Sequence, residues 1–151
     1  MSASPELDER IRLLPVHRGN WEAISSLEVD GGQSRLLPTN TYALLQAHYE
    51  GQTPYAVYYG TQPVGLIIVA EASGVYWVSH IMIARDHQQR GVGHLALEQL
   101  LETLRTRPHA TEVRTSVANA NAVAEHFFTT LGFERSGYQD NKEFIMTKPL
   151  A

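Results

Sequence analysis

The stretch most suited to chemistry runs Ile81-Met82-Ile83-Ala84-Arg85-Asp86-His87-Gln88-Gln89-Arg90-Gly91-Val92-Gly93-His94. An apolar strand ends, a polar loop follows, and a helix begins at two spaced glycines. A helix N-terminus carries unpaired backbone N–H groups and about half a positive charge. Glycines let an anion approach those N–H groups closely. Gln88 to His94 therefore reads as a cradle for a phosphorylated ligand, and equally as a strand-to-helix turn softened by glycine. Neither the G-x-x-x-x-G-K-[ST] loop nor the G-x-G-x-x-G fingerprint is present. A nucleotide-binding regulator that uses this loop alone would lack the lysine and the Mg-binding hydroxyl.

His80 precedes this stretch, and an unperturbed imidazole titrates where a general base is useful. It reads either as a base or as a hydrogen-bonded sheet histidine. Strand alternation places Ser79 and His80 on opposite faces, and a bulge would change which one turns inward. The remaining histidines, His17, His48, His109 and His126 among them, show no metal-ligand spacing, and no metal site is expected.

A second informative stretch is Asn119-Ala120-Asn121-Ala122-Val123-Ala124-Glu125-His126-Phe127-Phe128-Thr129-Thr130-Leu131-Gly132-Phe133. The two together resemble the GNAT N-acetyltransferase superfamily. That family carries [RQ]-x-x-G-x-[GA] after its fourth strand, matched by Gln88, Gly91 and Gly93. About thirty residues on it carries N-x-x-A-x-x-[LF]-[YF]-x-x-x-G-F, matched by Asn121, Ala124, Phe127, Phe128, Gly132 and Phe133. The resemblance spans about residues 9 to 149. It implies acetyl-CoA as cosubstrate and an acetyltransferase acting on a primary amine of a small, polyamine-like molecule or of a protein by direct attack in a ternary complex. Gln88, Gln89, Arg90, Gly91, Val92, Gly93 and His94 would receive the pyrophosphate. The pantetheine arm would lie along Ile81, Met82 and Ile83, with a backbone N–H near Met82 or Ile83 facing the acetyl carbonyl. Asn121 would bond that arm, unless it serves only as a helix cap.

Phe128 stands where the family commonly has a tyrosine that protonates the leaving thiolate, and the resemblance places it among the residues that contact acetyl-CoA. Tyr138, in the last strand pair, is the substitute candidate; it also reads as a half-buried strand tyrosine.

The N-terminal half resembles the bacterial spermine/spermidine acetyltransferase branch. Leu27-Glu28-Val29, Gln33, Pro38-Thr39-Asn40, Ala43-Leu44, Val64-Gly65-Leu66 and His80-Ile81-Met82-Ile83 carry the likeness. The chain has His80 for that branch's usual arginine, Ala84 for its aspartate and Ala43 for its serine. Glu28, Asp30, Gln33 and Asn40 are the residues expected to meet the acceptor amine, with Glu28 and Asp30 also readable as solvated turn residues. A degenerate member that senses acetyl-CoA without turnover is the competing reading.

These motifs need elements to hold them. Apolar runs predict strands over Ile11–Val16, Pro54–Tyr59, Val64–Ala70, Val75–Ile83, Glu112–Val117, Phe133–Tyr138 and Glu143–Lys148. Helices are predicted from Trp21 to about Leu27 with Asn20 as cap, and from Thr39 or Asn40 to about His48. Two more run over Val92–Arg107, where Val92, Leu95, Ala96, Leu100 and Leu104 recur at helical spacing, and Asn121–Leu131. The order β-α-α-β-β-β-α-β-α-β-β is that of an α+β, or mixed α/β, domain. With the resemblance it implies a GNAT-like, mostly antiparallel, twisted sheet of about seven strands flanked by four helices.

The chain of 151 residues is 43% hydrophobic and 19% charged, enough for one packed core without staples. It has no cysteine, which excludes disulfides, thiolate metal sites and a cysteine nucleophile. Net charge is −4, and the ten arginines and two lysines are scattered, so no nucleic-acid surface is expected. No apolar run reaches membrane-span length, and the first residues are unlike a signal peptide. The expectation is a single cytoplasmic domain over 1–151 with residues 1–8 as a tail, a small-molecule amine as partner, no membrane, and a possible homodimer.

Overall fold

The computed structural model describes residues 10–28, 39–88 and 90–151. Seven strands and four helices occur among them: β1 (Ile11–Pro15), α1 (Trp21–Ser25), α2 (Asn40–Glu50), β2 (Thr53–Tyr59), β3 (Gln62–Ala72), β4 (Val75–Ile83), α3 (Val92–Arg105), β5 (Glu112–Ala118), α4 (Ala122–Thr130), β6 (Glu134–Tyr138) and β7 (Glu143–Pro149). One 3-10 turn, Arg85–His87, lies between β4 and α3. The order is the one the periodicity predicts, with ends moved by one or two residues, as helix fraying and strand ends allow.

All strands join one sheet in the order β1-β2-β3-β4-β5-β7-β6. Every pairing is antiparallel except β4 with β5. Apolar side chains fill both faces. On one face, Val57, Ile67, Val69, Val78, Val113 and Val117 pack with Val92, Leu97, Leu100 and Leu104 of α3 and Phe128 of α4. On the other, Ala56, Leu66, Ile68 and Met82 pack with Ile24 of α1 and Ala43 and Ala47 of α2. The second layer buries small residues of α2, so that helix lies close to the sheet. Its larger Tyr42, Leu45 and Tyr49 face outward.

Local chemistry sets the helix ends. Thr39 Oγ1 accepts from the Tyr42 N–H (3.2 Å), which starts α2. Asn20 does not cap α1 with its side chain. Its Oδ1 instead accepts from the His17 N–H (2.7 Å), and its Nδ2 donates to the Pro15 carbonyl and the Tyr58 hydroxyl. It is a buried clamp between the end of β1 and β2. Among the described residues no helix is long and apolar enough to cross a membrane.

Candidate active site

The site is built where β4 and β5 part. The parallel ladder joins Val75–Val78 to Glu112–Thr115 and then stops. Beyond it, Ser79–Ile83 and Ser116–Ala118 are not paired to each other, although each strand keeps its outer neighbour. Two features mark the parting. Ile68 lies opposite His80 and Val69 opposite Val78, so Ser79 is an extra residue, a β-bulge. The buried Thr115 hydroxyl donates to the Val78 carbonyl (3.0 Å), closing the ladder with a side chain.

The bulge also decides which side chains turn where. Val78 faces the α3 layer, whereas Met82 faces the α2 layer and His80 turns toward α2. Unbroken alternation would have put all three on one face.

Backbone polarity along the freed edge follows from one bond. The Ala84 N–H donates to the Val64 carbonyl (2.8 Å) while Gly65 lies opposite Ile83. Antiparallel alternation then turns the amide groups of Met82 toward β3 and those of Ile81 and Ile83 away from it. Gln88 Nε2 donates to the Ile83 carbonyl (2.9 Å). The open edge therefore presents the Ile81 N–H and C=O and the Ile83 N–H. Of the two N–H donors expected near the acetyl carbonyl, Ile83 has the right direction and Met82 does not, because the Met82 ladder bonds go to β3.

Both splayed strands lead into helices at their C-terminal ends, the side where parallel strands receive ligands. The two helix starts differ. Asn121 Oδ1 accepts from the Ala124 N–H (3.0 Å), so the start of α4 is capped. Gly91 begins α3 with φ of 84° and no side-chain cap. Its first-turn N–H groups have no intrahelical acceptor, and only glycine adopts this φ cheaply. Gly93 packs tightly: a Cβ there would lie 3.3 Å from Ile83 and 3.4 Å from Phe127.

The remaining predicted residues fall into three groups. Ile81, Ile83, Gln88, Gly91, Val92 and Gly93 lie along the β4 end and the α3 start, with Val92 buried in the core. Arg90 is exposed beside them. His94 Nε2 instead meets Glu98 Oε1 at 2.9 Å along its own helix. Glu28 accepts the Arg85 N–H on its carbonyl (2.7 Å), and its carboxylate lies 3.8 Å from the Arg85 guanidinium. That pairing ties the chain after α1 to the loop after β4. Gln89, Asp30 and Gln33 lie outside the described residues.

Three expectations are corrected. Asn40, expected to meet the amine, is 4% exposed and its amide is fully committed. Nδ2 donates to the Ile24 carbonyl (2.8 Å) and lies 3.3 Å from Met82 Sδ, while Oδ1 meets His80 Nε2 at 3.0 Å. Tyr138, read as half-buried, is 76% exposed on the outermost strand, two strands beyond β5. Phe128 is 3% exposed, edge-on to Phe127 and Phe133 with ring centroids at 5.2 Å in each case, inside the α3-side core.

His80 is 5% exposed, and its Nδ1 is buried without a hydrogen-bond partner among the described residues. Burial lowers its pKa from 6.5 to about 4, so the ring is neutral at pH 7. Sequence reasoning missed Thr115, the packing of Phe127 on Gly93, and the Asn40–His80 contact. A glycine facing an aromatic within the two motifs was the only available signal, and it pointed to Phe127. Among the described residues no group of His, Asp and Glu is placed to hold a metal ion.

A strand edge freed by a bulge, beside an uncapped helix start, is an arrangement that binds an extended chain ending in an anion. Residues 21–133 match the Acetyltransferase (GNAT) family. This chain belongs to that family. Solved structures share the fold. The ribosomal-protein-S18-alanine N-acetyltransferase from Escherichia coli is similar with TM-score 0.75 and 18% identity, over 93% of this chain and 94% of that one. The spermidine N-acetyltransferase from Vibrio cholerae, in complex with CoA and spermine, gives TM-score 0.72 and 16% identity, over 94% and 96%. The PaiA N-acetyltransferase from Thermoplasma acidophilum, in complex with coenzyme A, gives 0.73 and 13%, over 92% and 98%. No curated protein sequence matches the chain. The GNAT family uses acetyl-CoA, and the open β4 edge with the α3 start fits such a cosubstrate. The amide groups left on the edge suit a pantetheine arm, and the free N–H groups suit a pyrophosphate.

Proposed function

We propose that this protein transfers the acetyl group of acetyl-CoA to a primary amine by direct attack in a ternary complex. The observation that carries the reading is the unpaired β4 edge at Ile81–Ile83, running into the uncapped start of α3. The N–H groups from Gly91 onward hold the pyrophosphate. The Ile83 N–H donates to the acetyl carbonyl and stabilises the charge that gathers on its oxygen as the amine attacks. The amine nitrogen bonds to the carbonyl carbon, the carbon–sulfur bond breaks, and the nitrogen sheds a proton. His80 takes that proton. Only the neutral amine has a lone pair with which to attack, so an ammonium of pKa ~10.4 first gives one proton to solvent; attack then makes the nitrogen far more acidic, and a neutral imidazole suffices for the second. Phe128 offers no proton to the thiolate, whose pKa of ~8.5 lets it leave unaided.

For the acceptor we propose a small polyamine-like amine rather than a protein amino group. The support is the likeness of Leu27 to Leu44 to the spermine/spermidine branch and the net charge of −4, which suits a cationic substrate. A screen for coenzyme A thiol release over polyamines, amino acids and peptide N-termini tests both statements. Turnover with spermidine supports them, and turnover with peptides alone removes the polyamine. Because Phe128 carries no hydroxyl, a second reading stands: a sensor that binds acetyl-CoA without transfer. Tight calorimetric binding with no thiol release on any amine selects it.

A further inference from the structure

The Asn40–His80 contact joins two residues forty positions apart, from α2 and from the freed half of β4. Its hydrogen-bond directions are determined by elimination. The Ile24 carbonyl can only accept, so the Asn40 group facing it at 2.8 Å is the NH2. The Asn40 oxygen then faces His80 Nε2, which must carry the ring proton. The lone pair of the neutral ring is left on Nδ1, the buried atom with no partner among the described residues. An unpaired buried acceptor costs stability unless a ligand or water meets it. The Ser79 bulge is what turns this ring toward α2, one residue before the first amide that faces the open edge.

We propose that Asn40 is a positioning residue: it locks His80 in the Nε2–H tautomer, so that Nδ1 is the proton acceptor for the attacking amine. This rests on the acetyl-transfer reading above. In the step, the nitrogen–carbon bond forms, the nitrogen's proton moves to Nδ1, and the imidazolium is held through Nε2–H on Asn40 Oδ1. The carbon–sulfur bond then breaks to release thiolate. The imidazolium gives its proton to the thiolate and returns to the neutral ring. No charged side chain among the described residues acts on His80. Its partners across the sheet and from α2 are Ile68 and Asn40. The titratable groups that α1, α2 and β3 carry, Glu22, Tyr42, His48, Tyr49, Glu50 and Glu71, sit at exposed positions, and those of β5, Glu112 and Arg114, pair with each other.

Nitrogen NMR on the intact wild-type protein at pH 7 reads the tautomer without any mutation or activity. We expect His80 to show a protonated Nε2 and a bare Nδ1; a protonated Nδ1, or an imidazolium, overturns the proposal. Asn40→Ala should lower kcat by about 10²-fold, the low end of general-base effects, with KM for acetyl-CoA within about twofold. An unchanged kcat overturns the positioning role. Asn40→Asp keeps an acceptor for Nε2 but adds a negative charge, which raises the His80 pKa. The ratio of variant to wild-type kcat/KM should then fall as pH drops through the neutral range, because only the neutral ring accepts a proton. A flat ratio overturns the assignment. A wild-type protein with the expected tautomer that acetylates no amine would sink the transfer reading and the proton step, and leave the Asn40–His80 lock standing. The two failures are thereby distinct.

Discussion

The two halves of β4 have the same neighbour on one side and opposite fates on the other. Val75–Val78 is paired to β3 and β5, and its amides are consumed by the sheet. Ser79–Ile83 keeps β3 but has no partner from β5. The first half is Val-Tyr-Trp-Val and the second opens on the polar pair Ser79-His80, but that difference in composition does not by itself separate their fates. A one-residue bulge and one threonine hydroxyl do. The first half contributes stability, and the second leaves hydrogen-bonding capacity unmet, which is what a ligand with amides of its own can use. A binding edge is thus made by ending a ladder early, at the cost of the bonds that ladder would have formed.

The largest test of this contrast lies at the end of the open half. Gly91→Val places a β-branched side chain at φ 84° and obstructs the N–H groups of the α3 start. Acetyl-CoA affinity of the folded variant, measured by calorimetry, should fall by about 100-fold or more, or roughly 3 kcal/mol. Unchanged affinity would remove this loop from the site.

The next effect concerns His80 inside the open half. An unfolded histidine binds a proton below 6.5, whereas folded His80 does so only near about 4. Protons therefore favour the unfolded chain between these values. Stability that is present above pH 6.5 is lost as pH falls toward 4, by about 3 kcal/mol in all, and no further below. Urea unfolding across that range should show the loss in wild type relative to His80→Gln, which lacks the titrating ring. Parallel curves for the two proteins would mean His80 reaches solvent.

A smaller effect is expected at the junction of the halves. Thr115→Val keeps the shape but leaves the Val78 carbonyl without its donor. Stability should drop by about 1–2 kcal/mol, and Thr115→Ser should restore most of it. If valine is neutral in the denaturant midpoint, the hydroxyl does not close the ladder.

The smallest effect is placed outside both halves. Tyr138→Phe on the outermost strand should change kcat by less than about twofold, since a general acid would be worth at least 10²-fold. A tenfold fall would bring β6 into the site and contradict its place in the sheet.

Much of the fold was readable along the chain because it depends on near neighbours. Val92, Leu95, Ala96, Leu100 and Leu104 repeat at 3.6 residues and form the buried side of α3. Thr39 capped the helix it preceded, and Gly132 stopped the one before it at φ 92°. Asn20 shows where such reading fails, since its side chain found partners across β1 and β2 rather than in its own helix.

By itself the sequence determined the element order, the glycines that start α3, the family motifs and the absence of cysteine chemistry. These are set by residue type and short spacing. Only the tertiary structure decided that β4 stops pairing at Val78, that Ile83 and not Met82 turns its N–H to the open edge, and that Asn40 meets His80 instead of substrate. Each of these depends on register across strands or on contact between segments forty residues apart. A one-residue bulge reverses every side chain after it, and nothing in the local pattern around Ser79 shows that the extra residue is there.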